Sequence, residues 1–137
     1  MEEEIVSVDE STEVEVDKIF DIRERAFAFA VRIVKLCDYL EKKTNVSKSL
    51  SGQLLRAGTS VGANLEEAKA GQSRADFISK NCISLKESRE SNYWLRLILA
   101  TKTFDKKVES GIKELEAESL ELSKIIGKIV VSTKISK

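Results

Sequence analysis

Four glutamates are the residues of this chain whose type and spacing come nearest to metal chemistry. Glu66 and Glu67 lie in one helical pattern, and Glu87 and Glu90 lie in the next. Helical bundles that hold two metal ions on such carboxylates usually add a histidine three residues after a glutamate, and this chain has no histidine. We therefore interpret the four acids as exposed or interface groups that pair with arginines, for which the candidates are Arg56, Arg74, Arg89 and Arg96.

Other catalytic patterns are absent from the sequence. It contains no CxxC pair, no glycine-rich phosphate loop and no nucleophile elbow. The lack of histidine also removes the commonest general base and the commonest metal ligand. We predict that the protein is not an enzyme, and we assign it no catalytic residue, no cofactor, no metal and no small-molecule substrate.

The segment KESRESNYWLRL places two arginines beside an aromatic ring. On a helix, Arg89, Tyr93 and Arg96 share one side. Such a group can stack on unpaired bases, and it can equally form a protein interface, where tyrosine, tryptophan and arginine are enriched. Because Glu87 and Glu90 in the same turns repel phosphate, we favour the interface and keep these three residues as candidate nucleic-acid contacts.

Gly58 and Gly62 interrupt the helical stretch QLLRAGTSVGANLEEAKA. Each costs about 1 kcal/mol relative to alanine inside a helix, which predicts the close approach of another helix. A pair of this spacing joins helices in lipid, but no apolar run here approaches the roughly 18 residues of a membrane span. The pair therefore indicates close packing, either inside one subunit or between subunits.

The charges of the chain are divided unevenly. Residues 1–18 hold eight acids and one base, while the other residues hold 22 bases and 15 acids. We predict that the acidic segment, including its strand-like TEVEVD, is disordered, with shielding of the basic body as an alternative. The basic body points weakly to nucleic acid. The absence of a basic and then apolar leader predicts a cytoplasmic protein without membrane contact.

Apolar residues recur at steps of three and four through most of the remaining sequence, residues 19–137, which we predict to be one domain. This period predicts four helices, at about 19–42, 47–70, 74–102 and 105–133. Short connections between them favour an all-α, antiparallel up-down-up-down four-helix bundle. Gly71 fits a left-handed residue after the second helix, and Ser73 and either Thr103 or Asp105 fit the caps of the next two.

The core side of each predicted helix follows from the same spacing. On the third helix it consists of Ile78, Cys82, Leu85, Asn92, Leu95 and Leu99, with Ser88 or Arg89 bridging the gap. The predicted stripes of the first, second and fourth helices are Ile22, Ala26, Phe29, Ile33, Leu36 and Leu40; Leu50, Leu54, Ala57, Val61, Leu65 and Ala68; and Val108, Ile112, Leu115, Ser119, Leu122, Ile126 and Ile129. Cys37 and Cys82 both fall at apolar positions, which predicts two buried free thiols. Phe27, Val31 and Val34 on the first helix, and Trp94 and Ile98 on the third, remain as surplus apolar groups. Surplus apolar surface on a helix predicts an interface, and hence a homo-oligomer.

Three blocks of the sequence resemble a known family. They are RAFAFAVRIVKLCDYL, QLLRAGTSVGANLEEAKAGQSRADFISK and LKESRESNYWLRL, within a similarity that covers about residues 20–130. The family is named for proteins encoded in intervening sequences of bacterial 23S ribosomal RNA genes. The resemblance implies an antiparallel four-helix bundle that assembles into a ring, commonly a pentamer, without known catalytic activity.

A related branch comprises the accessory variability determinant proteins of diversity-generating retroelements. Those proteins are similar pentamers that bind a reverse transcriptase and nucleic acid through a strongly basic surface, whereas the body of this chain is only moderately basic. Our first prediction is a ring-forming, non-enzymatic interaction protein, and the alternative is a nucleic-acid-binding accessory of this kind. The predicted interface residues are Arg56, Glu66, Glu67, Arg89, Tyr93, Trp94 and Arg96.

Overall fold

Four α-helices make up the computed structural model, which describes residues 21–71 and 73–135. They are α1 (Ile22–Lys43), α2 (Lys48–Ala70), α3 (Arg74–Thr101) and α4 (Lys106–Ile135). The described ranges contain no strand, so the predicted all-α class is confirmed. None of the described helices is long and apolar enough to cross a membrane. The predicted disordered segment, residues 1–18, lies outside the described residues.

Neighbouring helices run antiparallel. Gly58 and Gly62 of α2 lie beside Ile33 and Ala26 of α1, so residue numbers rise on one helix as they fall on the other. Contacts between the other neighbours run the same way. The order around the bundle is α1, α2, α3, α4, with α4 against α1. The outer face formed by α1 and α2 and the outer face formed by α3 and α4 therefore lie on opposite sides of the bundle.

A short polar side chain caps the start of each helix. In each case an oxygen of the cap accepts a backbone N–H of the first turn at about 3 Å, as helix N-caps do; the caps are Asp21, Ser47, Ser73 and Asp105. The predicted cap of the third helix is confirmed. Of the two residues predicted for the fourth helix, the aspartate caps it.

The predicted left-handed conformation of Gly71 is wrong. Its φ is −62° and its ψ is 150°, an extended conformation open to any residue. The described residues have no positive φ. Space explains the glycine better, because a Cβ at this position would lie 3.2 Å from the carbonyl oxygen of Ala68 and 3.3 Å from the Cβ of Asp76. The turn between α2 and α3 thus has little room for a side chain.

The core of the bundle is formed mainly by the predicted stripes of α1, α2 and α4. On α3 the buried side is rotated from the predicted one. Ile98, predicted to be surplus, is fully buried, whereas Cys82, Leu85 and Leu99 are only partly buried. The fully or nearly fully buried residues of α3 are Asn81, Ser84, Glu87, Ser88, Ser91, Asn92, Leu95 and Ile98.

Hydrogen bonds compensate the burial of small polar side chains on α3. Ser84 Oγ donates to the carbonyl of Val61 on α2 at 2.8 Å, and Ser88 Oγ donates to the carbonyl of Ser119 on α4 at 2.8 Å. Asn92 Nδ2 donates to Ser119 Oγ at 3.1 Å. A buried polar group with partners avoids most of the desolvation penalty. Serines therefore let α3 face the core and lie close to both neighbours.

Both cysteines are free, and their environments differ. Cys37 is 5% exposed, as predicted. Its Sγ donates to the carbonyl of Ser51 at 3.4 Å, and burial raises the pKa of this thiol to about 12. Cys82 is half-buried rather than buried, because the observed buried side of α3 differs from the predicted one and leaves Cys82 at the edge of the core.

Candidate functional site

The polar cluster between α2 and α3 consists of Arg56, Glu87, Glu90 and Trp94. Arg56 Nη1 donates to Glu87 Oε2 at 2.8 Å, and its Nη2 donates to Glu90 Oε1. Trp94 Nε1 donates to the same oxygen of Glu90 at 3.2 Å. The arginine thus bridges two helices with a fork of charge-assisted hydrogen bonds. Arg56 and Trp94, two of the predicted interface residues, lie together in this cluster inside one chain.

The two carboxyl groups of this cluster differ in their proton affinity. Burial raises the pKa of Glu87, and the neighbouring Glu90 raises it further. The hydrogen bond from Arg56 lowers the pKa of Glu90. Glu87 Oε1 is buried and has no hydrogen-bond partner among the described residues. Desolvation favours the neutral form of an acid, and a paired cation favours the charged form.

The structure does not gather the four glutamates that suggested metal chemistry. Glu66 lies 3.9 Å from Arg23 Nη1 on α1, while Glu67 accepts from Lys80 Nζ on α3 at 2.8 Å. The described ranges contain no group of three or more potential metal ligands. Among the described residues, each of the four acids instead lies beside a cation, in ion pairs that join adjacent helices.

The predicted arginine and tyrosine group lies on the outer side of α3. Tyr93 is 50% exposed, and Arg96 Cζ lies 5.8 Å from the centroid of its ring. Arg96 Nε also donates to Asn92 Oδ1 at 2.9 Å. Arg89 is exposed and forms no ion pair or hydrogen bond with another described residue. The group is therefore available to a partner, whether phosphate, base or protein.

Tyr93 also links this outer group to the polar cluster. Its ring contacts Trp94 in an edge-to-face arrangement, with centroids 5.1 Å apart and planes at 73°. Such pairs contribute about 0.5–1.5 kcal/mol beyond the area they bury. Trp94 itself is partly buried against the core. It is therefore a poor source of surplus apolar surface, in contrast to its role in the sequence prediction.

The two glycines of α2 face α1, but only one of them is tightly constrained. A Cβ at Gly58 would lie 2.7 Å from Ile33 Cγ2 and 2.9 Å from its Cγ1. A Cβ at Gly62 would lie 3.5 Å or more from Ala26, an ordinary van der Waals distance. Of the two predicted roles of this pair, close packing of helices within one subunit accounts for Gly58. Gly62 would tolerate a methyl group.

An apolar stripe remains exposed on α1. The side chains of Phe27, Val31 and Val34 are 67%, 38% and 48% exposed, as expected for the surplus group predicted from the sequence. Leu55 of α2 adds a fourth exposed apolar side chain, at 39%. We call these four residues the α1–α2 surface. A shallow open depression lies at its end, lined by Asp21, Arg23, Glu24, Phe27, Ala28 and Glu66.

A second set of exposed residues was missed by sequence reasoning. Leu120 and Val131 of α4 are 48% and 59% exposed, and Lys86 precedes Arg89 on the outer side of α3. The available signal was the position of Leu120 and Val131 outside the heptad stripe of α4. An apolar residue off that stripe cannot face the core.

Comparisons with known proteins agree on one family. A family model described as 23S rRNA-intervening sequence protein matches residues 18–128. The chain is also similar to a crystal structure from Bacteroides thetaiotaomicron VPI-5482, described as a protein with unknown function from the S23 ribosomal protein family. The two are 38% identical with a TM-score of 0.73, over 80% of this chain and 98% of that one. No curated protein matches the chain.

Proposed function

Because this chain belongs to the 23S rRNA-intervening sequence protein family, we propose that it is a non-enzymatic interaction protein whose copies assemble into a ring, with five as the expected number. The observation that carries the proposal is the exposed stripe of Phe27, Val31 and Val34 on α1. Contiguous apolar surface of this kind usually marks an interaction site. The protein would act as a scaffold through its assembled surface.

The size of the α1 stripe limits what it can do alone. Burial of its exposed apolar area would contribute on the order of 5 kcal/mol, at about 25 cal/mol per Å². Association of two proteins costs an estimated 4–15 kcal/mol in lost freedom of motion. The stripe therefore approaches the threshold without clearly exceeding it. A stable assembly needs a larger contact, which includes polar groups around the stripe.

The first test is the mass of the protein in solution. Light scattering after size exclusion should give a multiple of 15.3 kDa, the mass of one chain, at micromolar concentration. Phe27→Asp should shift the protein toward the monomer, because an exposed carboxylate would be desolvated in the contact. Ile83→Asp is the matched control, since Ile83 is 39% exposed on α3, away from the stripe. A wild-type monomer would contradict the proposal.

A second candidate function is binding of nucleic acid, as an accessory protein of a diversity-generating retroelement that partners a reverse transcriptase. The observation that favours it is the outer side of α3. Arg89 has no acidic partner among the described residues, and Arg96 lies over the half-exposed ring of Tyr93. Free guanidinium groups bind phosphate, and an accessible ring stacks on a base.

Titration with a structured RNA at two salt concentrations tests the second candidate. If several phosphates are neutralised, the affinity should fall steeply with salt. Arg89→Ala should weaken binding and reduce the salt slope by about one contact, while Lys69→Ala on the other side of the bundle serves as the control. Absence of binding at low salt would reject this candidate. A reverse-transcriptase gene beside the coding sequence would support it.

A further inference from the structure

The outer side of α3 and α4 forms a second exposed patch, which we call the α3–α4 surface. Its apolar part is Leu120 and Val131, at 48% and 59% exposure, with Gly127 between them on α4. At about 100° per residue these three share one side of the helix. The α3 part carries Lys86, Arg89, Tyr93 and Arg96.

Contacts within the bundle fix the direction in which Leu120 and its neighbours face. Asn92 of α3 donates to Ser119 and to the carbonyl of Glu116, so the adjacent side of α4 faces α3. Glu118 pairs with Arg25 of α1 at 2.7 Å, on the other side of α4. Leu120 therefore lies outward on the α3 side. The α3–α4 surface is opposite the α1–α2 surface.

No described residue of the chain packs against Gly127 closely enough to require a glycine there. A Cβ at this position would meet no atom within 4 Å, yet glycine inside a helix costs about 1 kcal/mol relative to alanine. This differs from Gly58, where Ile33 of the same chain fills the space. The open position lies between Leu120 and Val131. Gly52 of α2 is open in the same way, but at position 127 the opening lies between two exposed apolar residues and leaves room there for a group from outside the chain.

The two surfaces also differ in charge. On the α3–α4 surface, Lys86 and Arg89 form no ion pair with another described residue. Around the α1–α2 surface, acids and bases nearly balance, and Glu24, Glu41 and Glu66 are exposed at its edge. Two copies of the basic surface would repel each other. A surface of balanced charge does not repel a basic one, so the pairing of unlike surfaces avoids this repulsion.

The dimensions of the surfaces suit a specific protein contact. The 22 residues of α1 span about 33 Å, and two packed helices are about 18 Å wide at interaxial distances of 8–10 Å. The resulting plane of about 600 Å² is close to the roughly 800 Å² per partner of a standard interface, because a corrugated surface exceeds its projection. Either surface is thus large enough for one copy of the chain.

We propose that the α1–α2 surface of one copy docks on the α3–α4 surface of the next copy, head to tail. This inference rests on the proposed function and specifies the contact that would build the ring. Phe27, Val31 and Val34 would lie against Leu120, Gly127 and Val131. Contacts between unlike surfaces leave one free surface at each end of a chain of copies, and a ring closes when those two ends meet.

Complementation between two variants tests the pairing. The first variant, Phe27→Asp with Val34→Asp, disables the α1–α2 surface. The second, Leu120→Asp with Val131→Asp, disables the α3–α4 surface. All four positions are exposed, so both variants should retain the helical circular dichroism of the wild type. Each variant alone should be a monomer by light scattering, because each lacks one half of every contact.

In an equimolar mixture, the intact α3–α4 surface of the first variant can bind the intact α1–α2 surface of the second, and no other contact can form. The expected product is a heterodimer of about twice 15.3 kDa, which cannot grow further. The Ile83→Asp control should assemble as the wild type does. If the second variant assembles on its own, the contact joins like surfaces and the head-to-tail inference is overturned while the oligomer stands. A monomeric wild type would overturn both.

Discussion

Gly58→Ala should destabilise the bundle although it replaces a helical glycine by the best helix former. The new Cβ would lie 2.7 and 2.9 Å from the two γ-carbons of Ile33, a side chain that is fully buried and has no free end to move. Overpacking of a core typically costs about 1–3 kcal/mol, while the gain in helix propensity is about 1 kcal/mol. We therefore expect a net loss of about 1 kcal/mol.

The matched control is Gly52→Ala in the same helix. A Cβ at Gly52 would meet no atom of the described residues within 4 Å, so this variant should gain most of the difference in helix propensity, about 1 kcal/mol. Urea denaturation followed by helical circular dichroism measures both variants. With a slope of about 1–3 kcal/mol per molar in urea, a difference of about 2 kcal/mol separates their midpoints by about 1 M. All chains are compared at one concentration, because assembly shifts apparent stability.

A double-mutant cycle identifies the cause of the loss. Ile33→Ala removes both γ-carbons and alone should cost about 2–5 kcal/mol. In the double variant the alanine at position 58 no longer meets them, so the combined loss should be smaller than the sum. If Gly58→Ala is as stable as Gly52→Ala, or if the two losses add, steric contact with Ile33 is not the reason for the glycine.

Three further predictions concern titration, thiol access and buried polarity. Above about pH 4, Glu87→Gln should gain stability relative to wild type as pH rises, because the raised pKa of Glu87 contributes stability that is lost on deprotonation. Glu90→Gln should gain stability relative to wild type as pH falls below about 4, since the lowered pKa of Glu90 contributes stability that is lost on protonation; urea midpoints above about pH 4 check the first sign, and midpoints below it check the second. At about pH 8, a thiol reagent should modify Cys82 and spare Cys37 until urea unfolds the chain, because burial raises the pKa of Cys37 to about 12. Asn92→Ala should cost about 1–3 kcal/mol in urea unfolding, since it removes the buried donor to α4.

The stripes of α1 and α4 were predictable because large aliphatic residues mark them. Helix α3 was assigned incorrectly because its buried side is built from small polar residues. Ser84, Ser88 and Ser91 are fully buried, at steps of four and three that continue to Leu95 and Ile98. The period was present in the sequence, but hydropathy alone places serines outside. Hydrogen bonds make their burial favourable: Ser84 and Ser88 donate across to α2 and α4, and Ser91 donates to the carbonyl of Glu87 in its own helix.

The sequence predicted which residue types form the candidate site, but it did not predict which arginine pairs with which glutamate. That glutamates of α3 would meet an arginine followed from the abundance of both, but the choice of Arg56 for Glu87 and Glu90 depends on the register of α2 against α3. Leu120 and Val131 were missed because the search for apolar residues at steps of three and four identifies only the residues of the buried stripe. The residues that do not fit are the ones left for a partner.

The two candidate functions make competing use of the α3–α4 surface. Arg89, Tyr93 and Arg96 lie on this surface, and they were the sequence candidates both for an interface and for nucleic acid. In a head-to-tail ring, the α1–α2 surface of the neighbouring copy would cover each α3–α4 surface. The arginines would then face the acids around that copy's α1–α2 surface. Nucleic acid would then meet them only on copies outside the ring. Assembly and nucleic-acid binding at this surface are therefore mutually exclusive on any one copy.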